Sequence, residues 1–112
     1  MDFNIYQNNA LSTAVYPKEK TTAISYTAFG LASEVGEVHG KLKKIIRDGE
    51  GLEQMTEEEI EAVGKEIGDV LWYCATLAHE LGFRLGYLAT QNLVKLSERM
   101  TAGTIGGSGD NR

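Results

Sequence analysis

TEEEIEAVGKEIGDVLWYCATLAHEL, residues 56–81, reads as one long helix that opens on its own cap. Thr56 is followed three residues on by Glu59, the spacing of a capping box, in which each side chain satisfies the other residue's backbone N–H. Ile60, Val63, Ile67, Val70, Leu71, Cys74, Leu77, Ala78 and Leu81 recur at helical spacing and make an apolar stripe, with Gly82 as the stop. On the border of that stripe stands Glu66-Ile67-Gly68-Asp69. The same word, acid, β-branched residue, glycine, acid, occurs earlier as Glu34-Val35-Gly36-Glu37.

The earlier word lies in a second helical pattern, from near Thr22 to about Arg47. Its stripe is Ile24, Ala28, Leu31, Val35, Val38, Leu42, Ile45 and Ile46, and Asp48-Gly49-Glu50-Gly51 ends it. Residues 1–17 read as a short helix and a turn, with Phe3, Tyr6, Ala10 and Leu11 at helical spacing. Tyr16-Pro17-Lys18 marks the break, because the residue before proline avoids the helical region. A fourth helix spans roughly 84–100, with Leu85, Leu88, Ala89, Leu93, Leu96 and Met100 inward. From Thr101 on there are four glycines and no core pattern, as in a tail that a ligand or partner orders. The expected fold is all-α: a bundle of two long central helices with two shorter flanking ones. Residues 1–100 form one domain, and 101–112 a glycine-rich tail.

Composition narrows the classes. At 112 residues the chain allows a single core. No apolar run approaches the roughly 20 residues of a membrane span, and no basic-then-apolar leader opens the sequence. The single Cys74 cannot pair internally, so a reducing, cytoplasmic setting is the expectation. A net charge of −5 argues against a long nucleic acid as partner, which needs a basic face. It leaves room for a small phosphate ligand held through metal ions.

An acidic border on an amphipathic helix is ordinarily a solvated face. Three features point further. The acids adjoin the apolar stripe, the word appears on both long helices, and each copy carries a mid-helix glycine that costs about 1 kcal/mol relative to alanine. Such a glycine suggests close approach of a backbone or ligand. Acids three apart share a helix face, so Glu34, Glu37, Glu66 and Asp69 would converge if the helices pack. Four carboxylates at close range require a cation. Their hard oxygens suit Mg2+, Mn2+ or Ca2+. Iron is disfavoured because neither His39 nor His79 completes a Glu-x-x-His pair, and zinc because Cys74 stands alone. Lys41, one turn past Glu37, can reach a phosphate held by the metal, whereas Lys43, Lys44 and Arg47 suit a helix C-terminus. Asn92, Lys95 and Arg99 share one polar face of the fourth helix.

The ordered set of motifs resembles the MazG-like family of the all-α nucleoside triphosphate pyrophosphohydrolases, in its short phage- and bacterial-type form. The resemblance rests on Tyr6-Gln7, on residues 13–17 (TAVYP) and on the run from Gly30 to Glu37. It continues through residues 44–49 (KIIRDG), 66–73 (EIGDVLWY) and 92–99 (NLVKLSER), and ends with 103–112 (GTIGGSGDNR). It implies metal ligation by Glu34, Glu37, Glu66 and Asp69. The family pattern EExxE departs here at Ser33, which leaves the number of ions and the general base open.

The resemblance further implies Mg2+-dependent hydrolysis of (deoxy)nucleoside triphosphates to monophosphate and pyrophosphate, with Mn2+ as a substitute, in a bacterial or phage-infected cytoplasm. Lys95, Arg99, Asp110 and Arg112 are implied to help bind the triphosphate, and Lys41 to join them on the leaving pyrophosphate. Gln7 or Asn92 would hydrogen-bond the base in an apolar slot near the first helix. The chain is expected to form a dimer or tetramer. The alternatives are hydrolysis of a guanosine polyphosphate and a non-catalytic nucleotide- or metal-binding module.

Overall fold

Thr56 does cap the helix that follows it: its Oγ1 accepts from Glu59 N at 3.1 Å, and its own N–H donates to Glu59 Oε1 at 2.8 Å. The computed structural model describes all 112 residues as four helices and no strand. They are α1 (Phe3–Leu11), α2 (Lys20–Asp48), α3 (Glu57–Glu80) and α4 (Leu85–Ala102), with one 3₁₀ turn at Leu52–Gln54. Helix α2 starts two residues before the expected Thr22 because the Glu19 carboxylate caps the N–H groups of Thr21 and Thr22. Helix α4 runs two residues past Met100 and closes on Gly103, whose φ of 72° suits glycine; Thr104 N then donates to Arg99 O at 2.9 Å. No helix is long and apolar enough to cross a membrane.

Helices α2 and α3 form the central pair. Gly49 lies against Glu59, Lys41 against Glu66 and Gly30 against Tyr73, so the two run antiparallel. Helix α1 packs on α3 and α4, while α4 makes no contact with α2. The interior is built from small residues. Ala10, Ala75, Ala78 and Leu85 form one buried cluster, and Ala14, Tyr16 and Ala23 another, with Trp72 touching both. Trp72 Nε1 donates to Thr13 Oγ1 at 3.0 Å, and the Tyr16 hydroxyl donates to Glu80 Oε2 at 2.5 Å, pinning the α1–α2 turn onto α3.

Gln7 is the buried polar clip of the fold. It is fully buried; its Nε2 donates to Ala75 O (3.1 Å) and Phe83 O (3.0 Å), and its Oε1 accepts from Leu85 N (3.0 Å). One side chain thus satisfies backbone groups on both sides of the α3–α4 turn.

Two expectations from periodicity are corrected. Val35, Ile46, Ile60, Ile67, Leu81, Leu93 and Met100, assigned to inward stripes, are exposed. A helix pair covers only one flank of each member, and α1 and α4 are too short to cover the rest. The consequence is measurable: the chain exposes 7808 Å², against about 6,100 Å² for a compact monomer of its mass. Its radius of gyration is 17.0 Å, against about 13 Å for a compact chain of this length.

The second correction concerns Gly36 and Gly68. A Cβ at either would meet nothing within 4 Å, so no backbone approaches them. The close approach is at Gly30, where a Cβ would lie 2.1 Å from Tyr73 Cε1. Gly30→Ala is therefore expected to destabilise the fold by about 1–3 kcal/mol through overpacking. Gly36→Ala should be neutral or stabilising by up to about 1 kcal/mol. Denaturant melts of both variants check this; equal effects would contradict it.

Candidate functional site

The antiparallel register brings the two acidic words opposite one another. One carboxylate oxygen from each of Glu34, Glu66 and Asp69 lies within 4.8 Å of the other two. Glu34 and Glu66 are half-buried, and Asp69 is exposed. Glu37, expected as a fourth ligand, is exposed and outside this trio. Three residues advance a helix by about 300°, so Glu37 stands about 60° around α2 from Glu34, near enough for its charge to help raise the Glu34 carboxyl.

The crowding has an electrostatic consequence. The Glu34 carboxyl is pushed above the usual glutamate range, first by desolvation, then by a hydrogen bond with Glu66 and the charges of Asp69, Glu66 and Glu37. The only cation touching the trio is Lys41, whose Nζ lies 3.4 Å from Glu66 Oε1. Nearby phenols stay protonated: Tyr6 and Tyr73 are both raised, chiefly by burial, with Asp69 adding to each and Tyr26 and Glu34 to Tyr73. Helical spacing gives Tyr6 a place on the apolar face of the first helix and no more. Its place beside Asp69 depends on the α1–α3 crossing, which spacing does not carry.

A raised carboxylate means that the folded chain keeps a proton the unfolded chain has released. Stability of the metal-free protein should then fall as pH rises from the ordinary glutamate value through the raised one. In EDTA, the melting temperature of the wild type should decline across that window relative to Glu34→Gln. Parallel pH profiles would contradict the assignment.

The donor set fits a hard divalent cation. Oxygens bound to one Mg2+ at about 2.1 Å are at most about 4.2 Å apart, and about 4.8 Å for Ca2+ at 2.4 Å. Three oxygens within 4.8 Å of one another lie at most about 2.8 Å from a common centre, so side-chain shifts of up to about 0.4 Å bring them to the calcium distance and of up to about 0.7 Å to the magnesium distance. The Lys41 ammonium already stands where positive charge is wanted.

A second group forms where the tail folds back on α4. Asp110 Oδ1 lies 3.3 Å from Lys95 Nζ and 3.2 Å from Arg99 Nη2, and Arg99 is almost wholly buried. Arg112 donates to Thr104 O, Gly109 O and Ile105 O. These groups line a cavity of about 190 Å³ with Thr104, whose Oγ1 is buried without a partner. The paired cations Lys95 and Arg99 suit an anion. Asp110 already supplies one, and Arg112, expected among the phosphate contacts, is committed to backbone carbonyls. No ion pair or hydrogen bond links this group to the trio.

Gln7, expected to read a base, has all three of its hydrogen bonds committed to the protein backbone and no exposure. Asn92 is the single polar residue in an apolar groove of about 420 Å³ that includes Phe3, Leu31, Leu71 and Leu88. Leu31 and Leu71 stand within one turn of Glu34 and Asp69, so the groove adjoins the acids.

The model of the MazG nucleotide pyrophosphohydrolase domain matches residues 22–103. Gene 37 protein of Mycobacterium phage L5 is similar to this chain at 42% identity over 116 aligned positions, covering 100% of both chains. No solved structure is matched.

Proposed function

The chain belongs to the MazG nucleotide pyrophosphohydrolase family, and from that premise we propose that it hydrolyses nucleoside or deoxynucleoside triphosphates to the monophosphate and pyrophosphate. The observation that carries the reading is the trio of carboxylate oxygens within 4.8 Å of one another, drawn from both long helices. Glu34, Glu66 and Asp69 hold the divalent cation, Mg2+ or, in its place, Mn2+. When bound, that cation neutralises charge on the phosphate oxygens and acidifies a water.

The protein's own groups do the rest. Glu37, exposed beside the trio and outside it, takes the proton of the attacking water. Lys41, Lys95 and Arg99 hold the leaving pyrophosphate by charge-assisted hydrogen bonds. Asp110 and Arg112 act on substrate indirectly: Asp110 orients the two cations and Arg112 buckles the tail that carries it. The base enters the apolar groove, where Asn92 offers its amide.

The excess surface and the exposed stripe support a homo-oligomer, a dimer or tetramer, in which a second copy covers what α1 and α4 leave open. It would also bring one chain's Lys95 and Arg99 to another's trio. Sedimentation equilibrium at the 12.2 kDa monomer mass would overturn this part. The activity is tested by incubating the protein with Mg2+ and each common NTP and dNTP and separating the products. Monophosphate plus pyrophosphate is expected. Diphosphate plus phosphate would move the cleavage to the wrong bond, and no turnover under Mg2+ or Mn2+ would overturn the reading.

A further inference from the structure

Lys41 is placed to do more than wait for a phosphate. It stands seven residues beyond Glu34 on the same face of α2 and reaches across to Glu66 on α3. Its side chain is 37% exposed while that of Glu66 is 17% exposed, so the ammonium sits at the mouth of the site over a deeper carboxylate. Outside that mouth lies an open cavity of about 620 Å³ lined by Glu57, Glu58, Glu61 and Lys65, into which the lysine can swing.

Charge decides what this arrangement does. Three ionised carboxylates carry three negative charges. Lys41 alone leaves two negative charges on the trio, whereas one divalent cation leaves one, so the cation is the stronger counter-charge and repels the ammonium. A second divalent cation would leave the site strongly positive with Lys41 in place. The ammonium lies 3.4 Å from Glu66 Oε1, so a metal bound by the Glu66 carboxylate would bring two cations onto one side chain, where they repel.

We propose that Lys41 is the resident counter-cation of a one-metal centre. It is held on Glu66 while the centre is empty, is displaced when one divalent cation binds, and is then free for a phosphate oxygen of the substrate. The proposal rests on the metal-centre reading above. It gives Lys41→Gln two effects of opposite sign, which a purely structural lysine would not show.

The test uses the intact nucleotide-free protein, with free Mn2+ followed by electron paramagnetic resonance. The wild type should bind one Mn2+ per chain. Lys41→Gln should bind it about three- to fivefold more tightly, the upper scale of one partly exposed ion pair. Lys41→Arg should restore the wild-type affinity, and Lys44→Gln, the same charge change on an exposed residue off the trio, should stay within about twofold because solvent screens it. Inorganic pyrophosphate titrated calorimetrically into the Mn2+-loaded protein should bind about tenfold more weakly to Lys41→Gln.

Unchanged or weaker Mn2+ binding in Lys41→Gln, or unaltered pyrophosphate binding, overturns the proposal. Glu66→Gln separates the two levels. If it loses Mn2+ while Lys41→Gln behaves as wild type, only the lysine's role fails. If it keeps wild-type Mn2+ affinity, the metal centre itself fails.

Discussion

Asp69→Asn is expected to cut nucleotide turnover about a thousandfold or more, roughly 4 kcal/mol of transition-state stabilisation, without loss of helical structure. The substitution keeps the shape and removes one of three converging charges. Glu66→Gln should do the same. The stability effect runs the other way. In EDTA the trio is a set of crowded like charges, so removing one relieves repulsion, and the melting temperature should hold or rise. Added Mg2+ should raise the wild-type melting temperature by mass action and leave the variant unmoved. Activity and turnover are thus lost in a protein that is at least as stable without metal. Near-normal turnover in either variant would sink the assignment, and so would an equal Mg2+ response.

Gln7→Met should produce the largest loss of stability. Methionine keeps the volume and removes every hydrogen bond, leaving the buried Leu85 N–H without an acceptor and the carbonyls of Ala75, inside α3, and Phe83, partly exposed, each one donor short. The orphaned N–H costs about 1–3 kcal/mol and each lost carbonyl bond about 1 kcal/mol. Even partial relaxation leaves a deficit of about 3 kcal/mol, or a melting temperature lower by about ten degrees or more. At temperatures where the variant stays folded, its nucleotide KM should match the wild type. The converse, an unchanged melting temperature with a raised KM, would restore Gln7 to the base-reading role expected from its position.

The helices were legible because their signals are local. The capping box at Thr56 and Glu59, the break at Tyr16-Pro17 and the stop at Gly82 each concern residues a few positions apart. Three of the four acids were legible for a related reason: a shared helix face follows from spacing, and one packing contact between α2 and α3 then brings Glu34, Glu66 and Asp69 together. Glu37 lies outside that trio, and its distance from the other acids depends on the angle at which the helices meet, which spacing does not carry.

Long-range facts were equally hidden. Gln7 lies 78 residues from Leu85, and nothing near either residue announces their bond. Arg112 reads as a free cation in a polar tail, yet three carbonyls claim it. Periodicity identified an apolar face on each long helix but not what covers it, which is why Ile67 and Met100 were placed inward and are exposed. The glycines of the acidic words misled for a similar reason. A mid-helix glycine says that a side chain is absent, and only the packing shows that the neighbour belongs to Gly30 instead.

The most direct measurement is an anomalous-scattering map from crystals soaked in Mn2+. The account predicts one strong peak per chain, bonded at about 2.1–2.3 Å to oxygens of Glu34, Glu66 and Asp69, with the Lys41 ammonium moved off Glu66. A map with no peak among these three carboxylates, or with the ion held elsewhere on the chain, would contradict it.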